Sequence, residues 1–254
     1  MRKRVAVVCA ALVVSVFGLP GLAQEKPGVV ARIGVFKPKP GMVQQFEQGR
    51  KKHFEWHRKN NDAWSWFTWE TISGPQSGTY ITGTFGHNWK DFDAWEKIDA
   101  ADSADANANM GPYIEQEFAK YYVILSDASR PPAGKDPSAM AQVTHFYVKV
   151  SGVEAFIAAI KEAKTALDKV NWPVHSFWYQ LASGGEGPEL VLVTARSSWA
   201  DIQPSERTLA QALAEVYGPE KASALLDTVR KNTDHTFSEL LRYRPDLSYV
   251  PAAK

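Results

Sequence analysis

The chain has 254 residues, 29 Lys and Arg against 28 Asp and Glu, and a single cysteine. A near-neutral balance leaves no electrostatic footprint for nucleic acid or an anionic membrane surface. The length is enough for a large apolar core that needs no disulfide support.

The first predicted element is a leader. "MRKRVAVVCAALVVSVFGLPGLAQ" has a basic start at Arg2, Lys3 and Arg4, an apolar run from Val5 to Leu19, and small residues before Gln24. This is the layout of a secretory signal peptide over residues 1–23, cut after Ala23. The apolar run is short of the roughly 20 residues that span a bilayer. Cys9 leaves with the leader and lacks the small residue that lipoprotein sites place before their cysteine. The mature chain then carries 26 basic against 28 acidic residues. It is expected in the periplasm or outside the cell, with no membrane attachment after cleavage.

A first strand is predicted over 29–37 and a helix from Gly41 to about Asn60. "AWSWFTWE" (63–70) opens a hairpin and does not alternate apolar with polar residues, so both sides of this segment are expected to be dry. A helical region over 90–119 begins at Asn88-x-x-Asp91, a cap residue with an acid three positions on. Within it, "DAADSADANANM" (99–110) is low-complexity, lacks the spacing of a calcium loop and reads as a solvated segment. A fourth strand follows over 120–126, then a Pro-, Gly- and Ser-rich connection. The division into units is 24–131, a linker at 132–139, and 140–254. In the second unit a strand (141–150), a helix from Val153 to Lys169 opened by Ser151-x-x-Glu154, a hairpin, a helical region (200–232) and a last strand (235–243) are predicted.

The two units repeat one another. At an offset of 110, residues 64–92 lie over 174–202 without a gap, and Phe67/Phe177, Ser73/Ser183, Gly74/Gly184, Thr84/Thr194, Trp89/Trp199 and Asp91/Asp201 coincide. The order β-α-β-β-α-β, twice, is the ferredoxin-like unit. One such sheet leaves a face bare, and two can hide both faces by joining into a barrel. The expected fold class is therefore α+β: two ferredoxin-like repeats whose antiparallel sheets join into one α/β barrel. This architecture resembles the dimeric α/β-barrel superfamily, which includes antibiotic-biosynthesis monooxygenases, stress-responsive barrel proteins and NIPSNAP-like domains, with both halves of the usual dimer fused. The resemblance implies a monomer and spans nearly the whole mature chain.

Candidate chemistry centres on "HFEWH". Met42, Phe46, Gly49, His53, His57 and Asn60 share one helical stripe, which aims His53 inward and puts His57 near its edge. The pair suits a base or hydrogen-bonding site at the mouth of a pocket. Zinc would need a third ligand, and neither HExxH nor another partner is apparent, so no metal is expected. Some members of the superfamily bind haem through a histidine after the third strand; residues 90–119 and 200–233 contain none, so no cofactor is expected. His145 and His175, in predicted strands, read as core histidines.

Trp64, Trp66, Trp69 and Phe85 replace Val174, Ser176, Tyr179 and Ala195 of the second unit, while Gly34, Gly49, Gly83 and Gly86 stand against side chains there. Large-for-small exchange conserves core volume; the alternative is an aromatic-lined cavity. The leading expectation is an exported protein that binds a small apolar or aromatic molecule between sheet and helices of the first unit, through His53, His57, Trp64, Trp66, Trp69 and Phe85. The alternatives are a cofactor-independent oxygenase or isomerase with His53 as base, and a structural or stress-related barrel without a ligand.

Overall fold

A computed structural model describes residues 28–134 and 136–252; the predicted leader lies outside the described residues. The elements run β1 (Val30–Pro38), α1 (Val43–Lys59), β2 (Phe67–Ser73), β3 (Tyr80–His87), α2 (Trp89–Asn109) and β4 (Ile114–Ile124). The second half follows with β5 (Met140–Val148), α3 (Val153–Lys169), β6 (Ser176–Ser183), β7 (Glu189–Arg196), α4 (Leu209–Tyr217), α5 (Pro219–Asn232) and β8 (Thr233–Tyr243). All eight strands join one antiparallel sheet in the order β1-β3-β2-β8-β5-β7-β6-β4, which closes through β1 and β4. Each half is joined to the other at two seams, β2 with β8 and β4 with β6.

Period-two alternation then decides which side chains fill the closed sheet. Ile33, Trp69, Ile81, Tyr122, Val143, Tyr179, Val191 and Leu241, one from each strand, share a single apolar cluster. The opposite faces carry the helices. Phe46 of α1 is wholly buried against Phe36 and Tyr80, and Phe156 of α3 against Phe146 and Trp178. Burying each such ring contributes about 1.5–3 kcal/mol. Among the described residues no helix is long and apolar enough to cross a membrane.

Several predicted boundaries move, each for a local reason. The helical region at 90–119 is shorter: α2 ends at Asn109, a 3-10 turn spans Gly111–Tyr113, and β4 begins at Ile114. The region 200–232 is broken by Gly218, whose φ of 81° leads into α5 with Pro219 in its first turn. The box at Asn88 and Asp91 forms. The one at Ser151 does not, because Gly152 takes the cap position without a side-chain bond. The segment 99–110 is the second half of α2 and its C-cap Met110, solvated along one side as expected, with Asp102 and Met110 buried on the other. His175 is exposed just ahead of β6 and is no core histidine.

The register also corrects the pairing of the halves. Phe36 pairs with Tyr80, and Phe146 with Leu190. Tyr80 and Leu190 are themselves 110 apart, so the same offset runs through the first strands, and Gly34 corresponds to Thr144 rather than to His145. Helices α1 and α3 obey it too, since Val43–Lys59 and Val153–Lys169 differ by 110 at both ends.

A carboxylate-backed histidine cluster

Helix α1 turns a mixed face to the sheet and to α2: Phe46, Gly49, Arg50, His53, Phe54 and His57 are buried, whereas Met42 and Asn60, predicted on the same stripe, are exposed. His57 is more deeply buried than His53, at 2% against 4% exposure, so it is not the edge residue the spacing suggests. Gly49 is where α2 comes close, since a Cβ there would collide with the Asn109 carbonyl. That close approach brings Asp102 and Asp105 of α2 to the two histidines.

Each imidazole is held by its own carboxylate. His57 Nδ1 lies 2.8 Å from Asp62 Oδ2, and His53 Nδ1 lies 2.9 Å from Asp105 Oδ1. An ionised carboxylate only accepts, so both Nδ1 atoms carry a proton, and each ring in its neutral form keeps the lone pair on Nε2. These Nε2 atoms face each other at 3.2 Å. Asp102 Oδ1 closes the triangle, 3.2 Å from His57 Nε2 and 3.5 Å from His53 Nε2, and is buried without a hydrogen-bond donor.

The surroundings fix this arrangement. Asp62 also accepts from the Trp64 amide at 2.9 Å and the Trp66 indole N–H at 2.8 Å. Burial alone would raise its carboxyl, but these bonds and the one from His57 hold it below the usual range. Tyr249 donates its hydroxyl to the Asp62 carbonyl, and its backbone pairs with Trp66. Burial, helped by the neighbouring His57 and Arg50 and opposed by the Asp105 bond, pushes His53 down to about 4. Burial raises the Asp102 carboxyl, partly offset by His57 and Arg32. Arg32 stands 5.3 Å from the Trp95 ring centre, and its Nε and the Trp95 indole N–H are both buried without acceptors.

The six residues expected to line one pocket are on two faces of the sheet. His53, His57, Trp64 and Trp66 lie on the helix side, where Trp64 and Trp66 are 6.0 Å apart and Trp66 is 5.8 Å from His57. Trp69 belongs to the interior cluster, and Phe85, 6.2 Å from it on the same side, is exposed. Two of the glycines make room for this chain's own rings: a Cβ at Gly34 would meet Phe36 at 2.9 Å, and one at Gly83 would meet Phe85 at 2.6 Å.

A cavity of about 340 Å³ lies instead in the second half, beneath α3, α4 and α5, lined by Phe146, Leu167, Trp178, Leu192, Leu213 and Val229 among others. Its lining contains no His, Cys, Met or Tyr, so it offers no axial ligand for a haem. The barrel interior holds a second charged group. His145 Nδ1 meets the wholly buried Glu189 at 2.6 Å, and Lys120 and Tyr122 donate to the same carboxylate at 3.2 and 3.1 Å. Its charges are paired, so it reads as internal support, as expected for His145.

Asp62, Asp102, Asp105, Arg32 and Trp95 were not singled out from the sequence. Trp95, Asp102, Asp105 and Asn109 do recur at helical spacing, a stripe hidden by the other acids and alanines of α2.

No known sequence family matches the chain, and no curated protein sequence does. Solved structures do. The chain is similar to a candidate monooxygenase from Lactobacillus acidophilus (TM-score 0.56, 8% identity, 89% of this chain and 98% of that one). It is also similar to an anthrone oxidase-like protein (0.52, 12%, 85% and 91%) and to a variant chlorite dismutase from Candidatus Nitrospira defluvii (0.53, 12%, 87% and 93%). At these identities the likeness shows a shared α+β fold, that of monooxygenase-like and chlorite dismutase-like proteins.

Proposed function

We propose that the protein is an exported, monomeric oxidoreductase of small molecules, built from two ferredoxin-like units, with its reactive centre at His53, His57 and Asp102. One observation carries this reading: two buried imidazole Nε2 atoms and a buried carboxylate oxygen without a hydrogen-bond partner converge, and each imidazole is backed by a second carboxylate. Such a cluster is built to receive an electron-poor partner. Fold neighbours named as monooxygenases and a chlorite dismutase support oxidative chemistry. Export rests on the leader, and the monomer on a sheet that closes within one chain.

The test is oxygen uptake with a panel of phenols, hydroquinones and other small reductants, comparing wild type with His57→Ala and Asp102→Asn. Turnover that the variants lose supports the reading. Equal rates in all three proteins would refute it.

A second reading rests on the cavity beneath α3, α4 and α5. Its apolar lining suits a small apolar molecule carried in the second half. Native mass spectrometry of protein from its own host would show such a ligand, and Leu167→Trp should expel it.

A further inference from the structure

Three lone-pair acceptors held about 3 Å apart repel one another unless something positive lies between them. Arg32 and His57 partly offset the Asp102 charge, but neither donates a hydrogen bond to Asp102 Oδ1. Both Nδ1–H groups are committed to Asp62 and Asp105, and Asp102 Oδ1 receives no hydrogen bond. A proton shared by His57 Nε2 and one neighbour would satisfy one contact and leave the third atom unmatched.

The spacing is informative. Ligands about 2.1 Å from a common cation lie roughly 3.0 Å apart across a right angle and roughly 3.4 Å apart across a tetrahedral one. The three separations here are 3.2, 3.2 and 3.5 Å. Two imidazoles one helical turn apart and a carboxylate from a second helix thus form one face of a coordination sphere. The Nδ1 atoms show the further feature of metal-binding histidines, a carboxylate on the far nitrogen that fixes tautomer and ring orientation.

We propose that His53 Nε2, His57 Nε2 and Asp102 Oδ1 bind one divalent first-row transition ion, oriented by Asp105 and Asp62. The donor set selects the class of ion. Calcium and magnesium prefer all-oxygen shells, and copper(I) prefers thiolates and thioethers. Two nitrogens and one oxygen suit zinc, manganese and iron(II), and two histidines with one carboxylate on a single face is the set used by non-haem iron oxygenases. Three protein ligands leave open positions, unlike the closed four-ligand shell of structural zinc. Any catalytic consequence rests on the function proposed above; the binding itself does not.

The experiment uses the untagged mature chain, stripped with chelator and dialysed. Zinc(II) and cobalt(II) are titrated by calorimetry and native mass spectrometry, beside measurements of melting temperature. One bound equivalent and a raised melting temperature are expected. His57→Ala and Asp102→Asn should lose saturable binding, and Asp105→Asn should weaken it by about 10–100-fold. Absence of a stoichiometric complex in the wild type, or unchanged binding by Asp102→Asn, would overturn the proposal. Should the variants not fold, the wild type decides alone. Cobalt(II) should shift two exchangeable imidazole N–H resonances, and an unshifted spectrum at one equivalent would also overturn it. Binding without oxygen uptake would refute the oxidoreductase reading and leave the metal site standing. Uptake by metal-free protein would leave the oxidoreductase reading standing and show that the ion takes no part in it, while the titration alone decides the site.

Discussion

Helices α1 and α3 hold equivalent places over equivalent strands, yet the space beneath them is used in opposite ways. At the offset of 110, His53, His57, Trp64 and Trp66 correspond to Ala163, Leu167, Val174 and Ser176. The first set forms the polar cluster and its aromatic wall, and the second lines the cavity of about 340 Å³. The strand-and-helix frame at α1 and α3 is alike in both halves, with 17-residue helices 110 positions apart and Phe46 and Phe156 wholly buried under them. What differs is side-chain volume and charge at these four matched positions, together with the second covering element, the single helix α2 in one half and the pair α4 and α5 in the other. One framework therefore yields a filled, charged site in one half and an open, apolar one in the other.

The largest effect is expected where the filling is densest. Trp66→Ala removes a buried ring and its bond to Asp62, and should cost about 3–5 kcal/mol in urea unfolding. A loss below about 1 kcal/mol would show that the first half tolerates a cavity as the second does.

Acid should separate the two charged groups. In metal-free protein His53 is depressed from 6.5 to about 4, so the unfolded chain binds the extra proton between these values. Stability present above pH 6.5 is then lost as pH falls toward 4, by about 2–3 kcal/mol. His53→Gln should flatten that slope. His145 behaves oppositely: burial lowers it, but the bonds to Glu189 and Glu239 prevail and raise it. Its stabilisation is complete below the unfolded value and is lost as pH rises through the folded one. His145→Gln should remove that alkaline loss and leave the acid limb unchanged.

Asp62→Asn keeps the shape but presents one acceptor oxygen, which cannot serve both the Trp64 amide, now on Oδ1, and the His57 and Trp66 N–H groups, now on Oδ2. Leaving one buried donor unmatched should cost about 1–3 kcal/mol, read from the same unfolding curves. The smallest effect belongs to the second half. Ser176→Val places apolar volume against the cavity and should add about 0.5–1 kcal/mol. A destabilised variant would mean that the cavity wall is not free to accept a larger side chain.

The closed sheet was legible because its signals are local and occur twice. Strands and turns recur at a constant offset, and a bare-faced ferredoxin-like sheet has few ways to cover itself. The helix α3 boundaries agree with the prediction for the same reason, since a 3.6-residue apolar period marks them. The segment 63–70 is expected to be dry on both sides, and the structure bears this out only at Trp66 and Thr68: Trp64, Phe67 and Trp69 are partly buried and Ala63 is exposed. The grouping of Trp64 and Trp66 with Trp69 and Phe85 was unsafe, since Trp66 and Thr68 alternate with Phe67 and Trp69 along one extended segment, which sends the two sets to opposite faces of the sheet.

The amino-acid order by itself determined most of the elements and the inward face of α1, because hydropathy period and turn chemistry act between near neighbours. Only the tertiary structure decided that Asp105, 52 positions from His53, and Asp102 beside it, would meet the histidine pair. That meeting depends on how closely two helices dock at Gly49, and in the sequence Asp102 is one of several acids on α2 with nothing to set it apart. Long-range docking, rather than local pattern, turned two histidines into a three-donor site.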